Sequence, residues 1–110
     1  MRYLKSTEMK TPEEVKQDSR RGAEKDLQQG VLGIRIYGLI RSPELLKKAH
    51  EEKGVQLVII AGDNIDSRIA ADAEGYNEVM GPEIVKRLGP NYYEEIRQRY
   101  EELRKSDANC

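Results

Sequence analysis

Phenylalanine and tryptophan are absent from this 110-residue chain, so its interior must be built from Ile, Leu, Val, Ala and some of its six tyrosines. Hydrophobic residues make up 37% and charged residues 35%. A core that lean raises the expectation that a second copy covers part of the apolar surface, giving a homo-oligomer. Cysteine is nearly absent: Cys110 stands alone, which excludes an internal disulfide and any cysteine-based metal cluster. Long apolar runs are missing too, and none approaches the ~20 residues that a membrane span needs. Met1 to Lys10 carries no apolar signal core. A reducing, cytoplasmic location without a membrane partner is the expectation. An excess of charge of either sign is also lacking. Nineteen bases against 20 acids leave a net charge of −1, which gives no electrostatic case for general nucleic-acid binding.

The charges that are present are unevenly spread. Asp63, Asp66, Asp72, Glu74, Glu78 and Glu83 face one base, Arg68, between residues 63 and 83, whereas the stretch from Lys86 to Lys105 is biased toward bases. Neighbouring segments of opposite bias are expected to complement each other within or between subunits.

Two apolar runs, Val31 to Ile40 and Val55 to Ala61, are separated by a segment with its own helix start and stop signals. This pattern predicts a strand–helix–strand unit, and hence a small α/β domain with a parallel sheet of two or three strands. Helices pack on that sheet, and the C-terminal third is helical. The run from Val55 to Ala61 is apolar on both faces, as expected of a central parallel strand. Arg2-Tyr3-Leu4 reads weakly as a further edge strand. The whole chain reads as one domain.

Helix punctuation is clear elsewhere. Thr11-Pro12-Glu13-Glu14 is a capping box with proline at the first helical position, and this helix runs to about Gln29 before Gly30. Its apolar content is thin, which suits a solvated helix or one that packs on a partner. Ser42-Pro43 opens the second helix, and Gly54 closes it. Asp63 or Asn64 caps a third, whose Ile65, Ile69, Ala73, Tyr76 and Met80 share one face until Gly81-Pro82 breaks it. Gly75 and Asn77 are unusual inside such a helix and mark a kink or a close backbone approach. After a short helix and Gly89-Pro90-Asn91, the last helix carries a stripe of Tyr92, Ile96, Tyr100 and Leu103. Ser106 to Cys110 is expected to fray.

Ligands of parallel α/β folds collect at the carboxyl ends of the strands. There the sequence places Tyr37, Arg41, Ser42, Asp63, Asn64 and Asp66. Arg41 and Ser42 at a helix start suit a carboxylate or phosphate. Asp63 and Asp66 suit a general base or a shared cation. The plainer alternatives are that Asp63 or Asn64 is a helix cap and that Arg41 pairs with Asp63 or Asp66. His50, the sole histidine, lies at the margin of a buried stripe with no acid, Ser or Cys at a catalytic spacing. A helix-turn-helix reading of Glu83 to Leu103 meets Glu94, Glu95, Glu101 and Glu102 on the would-be reading helix, which disfavours DNA. No motif calls for a cofactor or metal, and none identifies a reaction. The leading expectation is a small non-catalytic interaction or regulatory protein, homo-oligomeric or with a protein partner. The alternative is a small-molecule (anionic ligand) binding protein, or a minor enzyme, working around Arg41 and Asp63.

Overall fold

The structure is a computed structural model that describes residues 10–62 and 66–108. In chain order the elements are α1 (Pro12–Gln28), β1 (Leu32–Tyr37), α2 (Pro43–Glu51), β2 (Val55–Ala61), α3 (Ser67–Leu88) and α4 (Tyr92–Ala108). β1 and β2 pair in parallel, with Leu32 opposite Val55, Ile34 opposite Leu57 and Arg35 opposite Val58. The expected small α/β fold is therefore present, with two strands among the described residues. Arg2-Tyr3-Leu4 lies outside them. No described helix is long and apolar enough to cross a membrane.

Both faces of the sheet carry helices, but unequally. Ile34, Val55 and Leu57 are buried with Ala49 of α2 and with Tyr92, Ile96 and Leu103 of α4 in one apolar cluster. Three of the four residues of the terminal stripe thus complete this chain's own core, with Tyr92 fully buried and Tyr100 only half-buried. On the opposite face Tyr76 of α3 lies over Gly33 and Arg35. That cover stops at β1: Gln56 is exposed, and Val58 is 47% exposed. The expectation of a central strand buried on both faces is corrected here. β2 alternates buried and exposed like a half-covered strand, because α3 is drawn to the β1 side by polar contacts that apolar patterning does not register.

α1 is not a solvated helix. It packs along α3, with Ala23 fully buried and Ser19 nearly so. Its capping box forms as read, with Thr11 and Glu14 each accepting from the other's backbone N–H at 3.1 and 2.9 Å. Gly75 allows a close approach between the two helices. A Cβ there would overlap the Lys16 carbonyl oxygen and lie 3.1 Å from its carbon.

The expected break at Gly81-Pro82 does not occur. α3 runs unbroken to Leu88 with Pro82 inside it. An interior proline costs about 3 kcal/mol. Met80 and Ile84, both fully buried, flank it, and burial of two such side chains contributes roughly 1.5–3 kcal/mol each. That gain requires Met80 and Ile84 to stay on one helical face, which offsets the proline. α4 continues to Ala108, and Asn109 and Cys110 lie outside the described residues.

Candidate functional site

Of the six residues that the sequence places at the carboxyl end of the sheet, four fall in the described chain, and they occupy three separate places. Tyr37 ends β1 beyond a register irregularity and is 41% exposed. It lines a cleft of about 390 Å³ with Arg35, Ala73 and Asn77. Asp66 is the cap of α3: its Oδ1 accepts from the backbone N–H of Arg68 and of Ile69, both at 3.0 Å. Those donors hold its carboxyl below the ordinary carboxylate range. The cap thus falls two or three residues later than expected, at Asp66, and Asp66 pairs with Arg68, not with Arg41. Asp63 and Asn64 lie outside the described residues.

Arg41 and Ser42 do come together, in a cleft of about 300 Å³ whose far wall is the end of α4, with Glu101, Arg104, Lys105 and Asp107. Ser42 opens α2 in the left-handed region (φ 49°, ψ 59°), where its side chain caps nothing. Its carbonyl accepts from Leu45 at 3.0 Å instead. The Tyr100 hydroxyl donates to the Arg41 carbonyl and ties this loop to α4. Beside it, Gly38, Leu39, Ile40, Pro43, Ile59 and Gly62 frame a smaller apolar cleft of about 220 Å³.

Sequence reasoning missed a polar network at the junction of α1, β1 and α3. Arg35 donates to Asp72 at 2.5 Å, and its guanidinium sits 4.1 Å from the Tyr76 ring centroid. Ser19 donates to the same Asp72 oxygen. The Tyr76 hydroxyl donates to Asp26 at 2.6 Å. Burial, and then that bond, push the Tyr76 phenol above its ordinary range. Every member is partnered, so the network reads as a clamp between helices and not as a reactive centre. No spacing in the sequence signals the assembly, because the partners that bond to each other are 16 to 53 residues apart.

Asn77 left a visible signal, as a polar oddity in a helical stripe. Its Oδ1 accepts from the Arg35 N–H at 2.9 Å and its Nδ2 donates to the Arg35 carbonyl at 2.7 Å. The side-chain amide thereby acts as one residue of a missing neighbouring strand and closes the outer edge of β1. Asn77→Ala should cost about 2 kcal/mol by orphaning both backbone groups. Urea unfolding and hydrogen exchange at the Arg35 amide measure this; unchanged stability and protection would show that the edge needs no cover.

His50 sits away from these clefts, and the DNA reading gains nothing from α4. Arg97 is held by Glu94, and Arg99 by Glu52 and Glu102. Comparison with protein-family models, curated proteins and solved structures gives no significant match.

Proposed function

We propose that this chain is a small non-catalytic interaction protein that assembles with copies of itself through β2. The observation that carries the reading is the character of that strand. Val55–Ala61 holds no charge and no proline in a chain with 35% charged residues. Among the described residues it pairs with β1 alone. Solvent-facing edges are normally guarded by lysine, proline or a bulge, and parallel strands are normally buried on both faces. β1 is covered on its outer edge by Asn77; β2 has no lysine or proline, and its one irregularity, the extra residue Ile60 between the partners of Ile36 and Tyr37, comes only at its carboxyl end.

Shape supports the same reading. The molecule measures 52 × 30 × 19 Å with a radius of gyration of 15.7 Å, against about 13 Å for a compact chain of this length. Pairing β2 with its copy about a two-fold axis at Val58 sets Gln56 opposite Ile60 and builds a four-stranded sheet. Such an interface is self-complementary, as two-fold symmetry requires.

Sedimentation equilibrium over a range of concentrations should show a dimer. Val58→Lys places like charges face to face across the axis and should weaken association by at least about tenfold, or roughly 1.4 kcal/mol. A wild-type chain that stays monomeric throughout, or a Val58→Lys dimer of unchanged strength, would overturn the proposal.

A further inference from the structure

We infer that the cleft between the β1–α2 loop and the end of α4 binds the oxyanion group, phosphate or carboxylate, of a small ligand. The first observation is a charge imbalance. Every described arginine except Arg41 lies within ion-pair distance of a carboxylate. In a chain with one more acid than base, a guanidinium without a counter-ion among the described residues stands out. Lys105 has no such partner among them either, and both side chains line this cleft.

The second observation is that the cations arrive from different parts of the chain. Arg41 and Ser42 come from the loop after β1, and Arg104 and Lys105 come from α4, some sixty residues later. Tyr100 fixes the two walls together through its bond to the Arg41 carbonyl, and its ring lies 5.5 Å from the Arg104 guanidinium. The bond that joins the two walls therefore uses the Arg41 carbonyl and leaves its guanidinium without a counter-ion among the described residues. A planar guanidinium and an ammonium on opposite walls match an oxyanion held from two sides.

Two acids also line the cleft. Glu101 is engaged by Arg104 at 3.5 Å. Asp107 opposes an anion, so the site carries a net positive charge of one and is tuned for modest affinity. Lys105 lies in the last turn of α4 and also offsets the negative end of that helix. Arg41 has no comparable structural duty, and it is the residue on which the inference turns.

An amide-resolved NMR titration of the full chain at low salt tests this, with inorganic phosphate in one arm and acetate in the other. Saturable movement of the Ser42, Arg104 and Lys105 amides is expected in at least one arm, and the tighter arm identifies the group. Arg41→Gln should weaken binding about fivefold, and Asp107→Asn should tighten it by a similar factor, as suits one partly solvated charge contact. Lys47→Gln, which alters an exposed cation of α2 that does not line the cleft, should bind as the wild type does. Absence of saturation in both arms, wild-type binding by Arg41→Gln, or equal weakening by Lys47→Gln would overturn the inference. Val58→Lys should retain binding, which separates this test from that of the β2 interface.

Discussion

Gly75→Ala should destabilise the protein by about 3 kcal/mol, although alanine is the better helix former. In an exposed helix interior the exchange would gain up to about 1 kcal/mol, because glycine loses the most backbone entropy on folding. Here the added methyl meets the backbone of α1 at Lys16. A flexible side chain could move aside, but a helix backbone cannot move without dragging its whole packed face. Overpacking of this kind typically costs about 1–3 kcal/mol and more where the obstacle is rigid. Separating α1 from α3 would also stretch the bonds of Ser19 to Asp72 and of Tyr76 to Asp26. The Lys16 bridges to Glu74 and Glu78 would suffer too, but such exposed pairs contribute little. Gly22→Ala in α1 provides the internal control, since nothing lies within 4 Å of the point its methyl would occupy; it should stabilise by up to about 1 kcal/mol. Urea unfolding of the pair reads both signs. If Gly75→Ala were neutral or stabilising, the helices would not approach as closely as the structure has them.

That glycine shows how far sequence patterning reaches in this chain. The βαβ unit was legible because apolar periodicity and Pro or Gly punctuation agree from Val31 to Ala61. Gly75 and Asn77 were legible as anomalies but not as contacts, because their partners, Lys16 and Arg35, are 59 and 42 positions away. The exposure of Val58 was illegible for a related reason. Apolar content says a side chain prefers burial, whereas the strand that α3 covers is selected by Arg35, Asp72 and Ser19, three polar residues with no periodic signature. Pro82 misleads because tertiary burial outweighs the local rule that proline ends a helix. At the candidate site, Arg41 and Ser42 are evident from their place after β1. Arg104 and Lys105 are not, since in sequence they are ordinary charges among the many on the polar side of this helix.

Lowering the pH from 6.5 toward 4 should remove about 3 kcal/mol of stability through His50 alone. The ring is 5% exposed, and its Nδ1 lies 2.7 Å from the Tyr92 hydroxyl, which is itself fully buried. Desolvation of the charged ring pushes its pKa down from 6.5 to about 4. In the unfolded chain the same group titrates near 6.5. Between those values the unfolded state therefore binds a proton that the folded state refuses, so stability falls as the solution is acidified. The full contribution is present above about pH 6.5. The slope approaches about 1.4 kcal/mol per pH unit within the window and vanishes below the folded value. Carboxylates held low by bases, such as Glu52 beside Arg99 and Glu78 beside Arg20, act in the same direction. They do so only as the pH falls below the ordinary carboxylate range, near 4.5, and on toward their folded values. Because this is the chain's one histidine, the interval from 6.5 to 5 reports on it with little interference, and about 2 kcal/mol should be lost there. Urea midpoints across that interval measure the loss, and His50→Gln, which keeps a partner for Tyr92 but no titrating ring, should flatten it. An imidazole resonance that titrates near 6.5 in the folded protein would mean that the ring is wet, and that α2 and α4 do not close over it.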